Sequence, residues 1–266
     1  MIEKLELKIT ELRTGLFLIN DSDMSNAYLL VGEEKACLID TGNGFCDIGK
    51  AVRELTDKSI VVINTHGHKD HVYGNDCFDH VYLNSEDWAL ADSFIKVPDV
   101  LAESEAKGHQ FPDYTDIKQG DIFDLGGRTL MVYNLPGHTK GSIVLLCPEE
   151  RILFTGDAIN HHLWMQLDCS LPMEVAAAEL ENKLFLMEEA DVILHGHAKG
   201  FDDSSLMQYV LDGMKEIIAG KNEDDMPYSY FEEFHAMFHP FTVDSSKQFE
   251  NYENGIAYQI NNIKNR

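Results

Sequence analysis

The stretch NTHGHKDHVYGN, residues 64–75, is the feature that most constrains this chain, because it follows directly after the apolar run SIVVI. Its potential ligands fall within six positions at the end of a predicted buried strand: His66, His68, Asp70 and His71. In extended backbone, residues two apart point the same way, so His66 and His68 can reach one ion while the other pair turns toward a neighbouring point. A single histidine is usually a surface or core residue, but this density of ligands predicts a metal site.

Further potential ligands lie in three later loops, each at the end of a predicted strand. LPGHTKGS presents His138, and LFTGDAIN presents Asp157. ILHGHAKG presents His195 and His197 around a glycine. Each signal is weak by itself, because an aspartate at the end of a strand often only caps a helix. Together with the histidine cluster they indicate a site whose ligands come from several loops.

The pattern of apolar runs and turns predicts a layered architecture of strands and helices. At the start of the chain KLELKI, GLFLIN, NAYLLVG and KACLID read as successive strands of an antiparallel meander. FCDIGKAVREL then has helical spacing before the strand SIVVIN, and SEDWALADSF predicts a helix with Ser85 as its N-cap. The second half has strands RTLMVYNL, SIVLLC, RILFTG and DVILHG and helices near MEVAAAELENKLFLMEEA and SSLMQYVLDGMKEII. Two such halves predict two sheets packed face to face with helices outside.

The segment from Lys221 onward differs in composition from the rest of the chain. An acidic NEDD linker precedes YSYFEEFHAMFHPF, which is dense in aromatic residues, and NGIAYQI predicts a last strand. We therefore expect one domain over residues 1–220 and an aromatic-rich extension over residues 221–266. The extension is expected to complete the same domain, cap the site or form a homodimer interface, and these alternatives stay open.

The charge balance of the chain excludes one class of partner. Asp and Glu number 46 against 21 Lys and Arg, which gives a formal net charge of −25. Such a field repels phosphate polymers at long range and leaves no basic footprint for a nucleic acid. We expect a small-molecule substrate instead, since a bound metal can invert the potential locally.

The N-terminus and the cysteines bear on the cellular compartment. MIEKLELKIT carries alternating charges rather than an apolar core, and no run elsewhere has membrane-spanning length, so we expect a cytoplasmic protein that does not bind membranes. The five cysteines are scattered without a CxxC pair, which argues against a zinc ribbon and against a disulfide framework. Each cysteine is expected to pack as a small apolar residue.

The ordered motifs resemble a known family. THGHKDH has the HxHxDH pattern of the metallo-β-lactamase superfamily, and the order HxHxDH, PGHT, GD and GH along the chain is similar to that family as well. Flanking residues agree, among them DTG at 40–42 and GN at 74–75. The resemblance spans about residues 15 to 200. It implies an α/β fold of the α+β kind, a four-layer αββα sandwich of two mixed β-sheets with helices outside.

Carried over position by position, the resemblance implies two sets of metal ligands joined by one bridging carboxylate. The first metal would be held by His66, His68 and His138. The second metal would be held by Asp70, His71 and His197, and Asp157 would bridge the two.

Other residues near these motifs are candidates for outer hydrogen-bond partners or for the substrate pocket. They are Asp40, Asn160, His161, His195 and Lys199. Asp40 resembles the buried aspartate of the family's DTG motif, which implies that it orients a ligand histidine by hydrogen bonding. His195 lies two positions before the Gly-His of the family motif and therefore stays outside the ligand set.

The implied ligand set points to hydrolysis. Nitrogen and oxygen donors suit two divalent metal ions, zinc first, although iron and manganese accept the same donors. Such a centre would lower the pKa of a bound water toward ~7 and polarise a carbonyl group. Asp70 is placed to orient the metal-bound hydroxide and to act as the catalytic proton shuttle. We therefore predict a dinuclear metal-dependent hydrolase acting on a small ester, thioester, lactone or amide.

Two other functions stay open at this point. Persulfide dioxygenases of the same superfamily resemble this pattern and use a mononuclear iron held by a subset of the same ligands. A non-catalytic metal-binding protein is disfavoured by the intact ligand set. Among hydrolases, the core motifs resemble the glyoxalase II branch, but no counterpart of that branch's basic glutathione-binding segment follows GHAKG. Glutathione thioesters are therefore not expected as substrates.

Overall fold

The computed structural model describes residues 5–230, 234–249 and 253–264. The described chain divides into two compact units, Met1–Val132 and Tyr133–Arg266. Within these residues, no helix combines the length and the hydrophobicity that crossing a bilayer requires.

The first unit begins with the predicted antiparallel meander. Its strands are β1 (Leu7–Arg13), β2 (Leu16–Asp21), β3 (Ser25–Val31) and β4 (Lys35–Ile39). Helix α1 (Ile48–Leu55) leads from β4 to β5 (Ser59–Ile63), which runs parallel to β4. The expected order of strand, helix and strand is therefore confirmed.

Burial of one face of α1 anchors this sheet. Ile48 and Val52 lie one helical turn apart and are completely or almost completely buried. They share a hydrophobic cluster with Leu29, Leu38 and Val62 of the sheet. Each such side chain contributes about 1.5–3 kcal/mol when it is fully buried, so this face of the sheet is a rigid base for the loops at its end.

The remainder of the first unit consists of shorter elements. They are α2 (Lys69–Val72), β6 (Val81–Tyr82), α3 (Trp88–Ile95), α4 (Pro98–Ala106), β7 (Tyr114–Thr115) and β8 (Ile122–Asp124), followed by β9 (Thr129–Asn134). β6 runs parallel to β5 and β7 runs parallel to β6, so the sheet extends away from the meander. β8 pairs with β9 in an antiparallel hairpin, and the boundary between the units lies within β9.

The prediction that Ser85 caps a helix is wrong by one residue. Asn84 has an extended backbone, and its side chain accepts a hydrogen bond from the backbone N–H of Glu86. Ser85 is itself the first residue of a short 3₁₀ helix that precedes α3. Asparagine is as good a cap as serine, so the residue types did not separate the two positions.

The second unit alternates strands and helices before a run of strands at its end. Its elements are β10 (Ile143–Cys147), β11 (Ile152–Gly156), β12 (His162–Met165), α5 (Met173–Glu181), α6 (Leu186–Glu189), β13 (Val192–His195), β14 (Asp202–Asp203), α7 (Leu206–Ile218), β15 (Met226–Tyr230), β16 (Phe234–Pro240) and β17 (Gly255–Tyr258). The helix expected over residues 173–190 is interrupted after Glu181, so α5 and α6 are separate.

A mixed sheet carries the ligand-bearing loops of this unit. β11 pairs antiparallel with β10 and parallel with β13, and β13 pairs antiparallel with β14. The pairing of β11 with β13 is irregular between Phe154 and Gly156. Gly156 has a φ of +50°, a left-handed conformation that glycine adopts without steric cost. The strand therefore bends at the point where Asp157 leaves it.

The end of the chain forms a separate sheet in the order β12-β17-β16-β15. β17 runs parallel to β12 with His162 opposite Gly255, and antiparallel to β16. The predicted last strand is confirmed, whereas its partner β12 was not foreseen. The aromatic-rich extension thus pairs with a strand that starts five residues after Asp157.

Candidate metal centre

The histidine cluster of the first unit lies in a turn that is clamped on its backbone. β5 ends at Ile63, and the next residues form a buried loop that leads into α2. The side chain of Asn64 donates to the carbonyl of His71 at 2.8 Å, and the hydroxyl of Thr41 donates to the same oxygen at 3.0 Å. The hydroxyl of Ser25 donates to the carbonyl of Asp70 at 2.8 Å. These bonds hold the turn in place through its backbone and leave the side chains of the candidate ligands unused.

Asp40 orients two of the candidate ligands. It has a φ of +61° at the end of β4, which turns its buried carboxylate toward the loop. Oδ1 accepts from the backbone N–H of Thr65 at 2.7 Å, and Oδ2 accepts from the Thr65 hydroxyl at 2.8 Å. Oδ2 also lies 2.8 Å from Nδ1 of His71. Because a carboxylate only accepts, His71 carries its proton on Nδ1 and leaves Nε2 unprotonated, the state in which an imidazole can bind a metal.

The same carboxylate reaches His66 through Thr65. The Thr65 hydroxyl gives its proton to Asp40, so the hydroxyl oxygen accepts from Nδ1 of His66, 3.1 Å away. His66 then also presents Nε2 without a proton. One aspartate thus sets the tautomer of two imidazoles that flank the HxHxDH turn.

The candidate ligating atoms of the turn lie close together. Nε2 of His66 is 3.0 Å from Nδ1 of His68, and Nε2 of His71 is 3.6 Å from Oδ2 of Asp70. Ligands of one tetrahedral zinc ion lie about 3.3 Å apart when both are nitrogen or oxygen. The first separation is that of a hydrogen bond, which Nδ1 of His68 donates to the unprotonated Nε2 of His66, and both separations are also compatible with a shared cation.

In the second unit, His138 is held by the backbone of β12. Its Nδ1 lies 2.7 Å from the carbonyl oxygen of Trp164 and must donate to it, which leaves Nε2 without a proton. Nε2 of His138 is 3.9 Å from Oδ2 of Asp157, and Nε2 of His197 is 3.1 Å from the same oxygen. One buried carboxylate oxygen therefore lies between two imidazole nitrogens.

His195, two positions before the candidate ligand His197, belongs to a buried hydrogen-bonded network. Nδ1 of His195 accepts from the backbone N–H of His197 at 3.2 Å, which ties the ligand's backbone to this ring. Nε2 of His195 then carries the proton and lies 3.3 Å from Oδ2 of Asp202. Nε2 of His161 lies 2.9 Å from Oδ1 of Asp202, and Nδ1 of His161 contacts Oδ1 of Asn254. Asp202 thus orients the loop that carries His197.

The environment of Asp202 keeps its carboxylate charged. Complete burial by itself would raise the pKa of this group, but hydrogen bonds from His161 and His195 outweigh burial and hold the pKa well below its usual range. Burial lowers the pKa of His195, partly offset by its bond to Asp202.

Replacing Asp202 with asparagine is expected to lower the free energy of unfolding by about 2–3 kcal/mol, because hydrogen bonds to a charged acceptor become bonds to a neutral one. Urea unfolding monitored by circular dichroism measures the change, with Asp212→Asn on the exposed side of α7 as the control. Since the pKa of Asp202 is lowered in the folded state, its contribution to stability is complete above about pH 4 and declines progressively as the pH falls from there toward the lower folded-state pKa. The difference in free energy of unfolding between wild type and Asp202→Asn should therefore become smaller at lower pH. Equal urea midpoints for the two proteins at neutral pH would contradict the stabilising role of Asp202.

The remaining predicted residues differ in their surroundings. Asn160 is 4% exposed, and its Oδ1 has no hydrogen-bond partner among the described residues. Lys199 is exposed on the surface of the second unit. A role in substrate binding stays a prediction for both residues.

Sequence reasoning missed Asp202, Asn254 and the carbonyl of Trp164. Asp202 follows His197 by five residues, in the segment FDD, and an acidic residue so close to a ligand loop was the available signal. Asn254 contacts His161 across 93 positions of the chain, and a backbone carbonyl has no sequence signature. Only the folded chain could reveal these two.

A profile of the metallo-β-lactamase superfamily matches residues 20–201, about two thirds of the chain. The chain belongs to this superfamily. The metallo-β-lactamase family protein TTHA1429 from Thermus thermophilus has a solved structure with a TM-score of 0.61 at 20% identity, covering 81% of this chain and 85% of that protein. The expected α/β fold class is thereby confirmed, although the described residues form three sheets where two were expected.

Curated relatives of this metallo-β-lactamase superfamily member include two thioesterases. The human acyl-coenzyme A thioesterase MBLAC2 is 28% identical over 178 residues, which cover 54% of this chain and 63% of that protein. The atrochrysone carboxyl ACP thioesterase of Aspergillus chevalieri is 28% identical over 142 residues, covering 52% and 41% respectively. The chain therefore matches less than two thirds of the length of these relatives. Membership of the superfamily implies divalent metal ions, for which both units offer histidine and aspartate donors.

Proposed function

We propose that this protein is a dinuclear metal-dependent hydrolase whose substrate is an acyl thioester. The observation that carries the proposal is the hydrogen bonding of the imidazoles. His66, His71 and His138 each use Nδ1 to donate and so present Nε2 without a proton. Metal-binding histidines have this arrangement, because the outer partner fixes the tautomer and raises the basicity of the ligating nitrogen.

The proposed ligands are those predicted from the sequence. The first ion would be held by His66, His68 and His138, the second by Asp70, His71 and His197, with Asp157 shared. The position of one Asp157 oxygen between His138 and His197 supports the sharing. All donors are nitrogen or oxygen, which suits zinc. Bound divalent ions would supply a Lewis acid for the carbonyl and a water of lowered pKa.

Asp70 is the proposed catalytic carboxylate. Its side chain is 30% exposed beside the completely buried ring of His71, so a water molecule can reach it. The hydroxyl of Ser25 donates to the backbone carbonyl of Asp70, which anchors the main chain from which the carboxylate projects. Asp70 would accept a proton from the attacking water and orient its lone pair toward the substrate carbonyl.

A thioester is the favoured substrate class because both named relatives are thioesterases, one of coenzyme A thioesters and one of a carrier-protein thioester. The carbonyl carbon of a thioester is more reactive toward a nucleophile than that of an ester. A thiolate is also a good leaving group that needs little protonation. The ester, lactone and amide alternatives differ in the leaving group alone. We also predict that the protein is cytoplasmic, that its substrate is a small molecule and that it forms a homodimer.

A metal count combined with a substrate panel tests the proposed function. Protein purified without added metal should contain about two zinc ions per chain, the number that a dinuclear site requires. Acyl-coenzyme A, an aryl ester, a lactone and an amide of matched acyl group should then show the thioester to be hydrolysed with the highest kcat/KM. If the protein instead contains one iron per chain and consumes oxygen when a persulfide is added, the dioxygenase alternative replaces this proposal. No turnover of any of the four with metal fully loaded would refute hydrolysis.

A further inference from the structure

A second group of potential ligands lies in the first unit and consists of residues outside the HxHxDH turn. Cys77 ends the 3₁₀ helix Tyr73–Cys77, which follows α2. Its Sγ is 3.5 Å from Oδ1 of Asp76 and 3.8 Å from Nδ1 of His109. Oδ2 of Asp76 is 3.7 Å from the same nitrogen of His109. A thiol, an imidazole and a carboxylate thus converge, and all three are partly buried.

The thiol of Cys77 is within the longer reach of a sulfur hydrogen bond to Asp76, but the spacing between His109 and Asp76 does not suit a direct hydrogen bond. An N–H···O bond spans about 2.7–3.2 Å, so the distance between His109 and Asp76 is too long for one. The ligand atoms of a tetrahedral zinc ion bound by sulfur, nitrogen and oxygen lie about 3.3–3.6 Å from one another, as the usual metal–ligand lengths require. The measured separations of 3.5–3.8 Å, two of which involve different oxygens of Asp76, equal or slightly exceed these values, so the three groups leave room for a cation among them.

The start of α1 closes a further side of the group. Oδ1 of Asp47, the N-cap of α1, lies 3.7 Å from Sγ of Cys77. A Cβ on Gly49 would lie 2.8 Å from Cβ of Cys77, so this approach of helix and thiol requires glycine. The backbone N–H of Gly49 donates to the sulfur and favours its thiolate form. A fixed donor to a thiolate is what a metal-bound cysteine needs.

A nucleophilic role for Cys77 does not fit. Burial raises the pKa of the Cys77 thiol, and the nearby charges of Asp76 and Asp47 raise it further, to about 12 in all. The hydrogen bond from the backbone of Gly49 lowers the pKa but is outweighed. The thiol is thus protonated at neutral pH unless a cation is present. Asp76 and Cys77 also face the same nitrogen of His109, whereas a catalytic triad uses opposite nitrogens.

We propose that Cys77, His109 and Asp76 bind a divalent metal ion of the zinc type, separate from the proposed dinuclear centre. The donor set of one thiolate, one imidazole and one carboxylate is typical of zinc. Asp47 or a water molecule would complete the tetrahedron. The expectation that every cysteine only packs as an apolar residue then fails at Cys77.

Binding at this site would fasten the segment that follows α4. His109 lies three residues after the end of α4, and Cys77 lies six residues after His71. Asp76 also lines a cavity of about 200 Å³ together with Tyr73, Lys107 and Phe111. The ion would therefore hold α4 against the 3₁₀ helix that follows the HxHxDH turn.

Cobalt substitution tests the proposal, because a thiolate bound to Co²⁺ absorbs in the near ultraviolet and nitrogen or oxygen ligands do not. The full-length apo protein is titrated with Co²⁺, and bound metal is counted in parallel. Wild type should develop the thiolate band and bind about one equivalent more than Cys77→Ser, as one extra site requires. His109→Ala should lose the same equivalent and most of the band.

Cys169→Ser, a change at another partly buried cysteine, is the matched control and should keep the band. A wild-type protein saturated with Co²⁺ but without a thiolate band would overturn the proposal. A band that survives in Cys77→Ser would overturn it equally. The proposed dinuclear centre contains no cysteine, so these results leave hydrolysis untouched, and loss of hydrolysis leaves the band untouched.

Discussion

Replacing Asp157 with alanine should lower kcat/KM for a thioester by more than about 100-fold, the upper end of the loss caused by removing only an outer partner of a metal ligand. The physical reason is that one Asp157 oxygen lies between His138 and His197, 3.9 Å and 3.1 Å from their Nε2 atoms. Without the carboxylate, two imidazoles remain where a negative charge would help to hold two cations. Bound metal should therefore fall together with activity, as mass spectrometry of the purified variant would measure.

Asp168→Ala is the matched control, since it is the same change at an exposed position of the same unit. It should retain both metal and turnover. Circular dichroism of both variants establishes that they are folded. Wild-type activity in a folded Asp157→Ala protein would remove the shared ligand from the proposed centre, and normal metal content with no activity would show that Asp157 acts on the substrate instead.

Replacing Asp40 with asparagine is expected to lower kcat/KM by about 10–100-fold, the usual effect of removing an outer partner of metal-binding histidines. Asp40 accepts from Nδ1 of His71 and, through the Thr65 hydroxyl, controls Nδ1 of His66. An amide NH₂ in the place of Oδ2 donates rather than accepts, so both rings are pushed toward the tautomer that protonates Nε2. Asparagine is chosen because it tolerates the φ of +61° at this position, which alanine does not.

Thr65→Val separates the two branches of this network. Valine has the shape of threonine but no hydroxyl, so the link from Asp40 to His66 is lost while the bond to His71 stays. The loss of activity and of metal affinity should be smaller than in Asp40→Asn. Equal kcat/KM and equal metal affinity in wild type and Asp40→Asn would show that the tautomers are set by other groups.

The strands and ligand loops were largely accessible from the sequence. The meander, the β-α-β order and the last strand followed from apolar runs bounded by turn residues, and these are local patterns. Helix boundaries were less accurate, as Asn84 and the break after Glu181 show. The errors arise because neighbouring polar residues have similar capping and helix propensities, so packing decides among them.

The sequence alone determined the family and the candidate ligands, because HxHxDH and the three later motifs are short, ordered and chemically unusual. The match of the superfamily profile to residues 20–201 confirms the predicted family, while the ligand assignment stays a proposal. Residues close together in the chain are also close in space, so the six positions of this motif bring their side chains together whatever the rest of the fold does.

Only the tertiary structure decided which groups surround these candidate ligands. Asp202 and Asn254 meet His161 from distant parts of the chain, and the carbonyl of Trp164 meets His138. The pairing of β12 with β17 joins the chain end to the strand that holds His138. Aspartate, asparagine and backbone carbonyls are too common to mark such partners in a sequence, and their contacts depend on how the strands align. The chemistry of the ligands is thus local, whereas their orientation and protonation are properties of the whole fold.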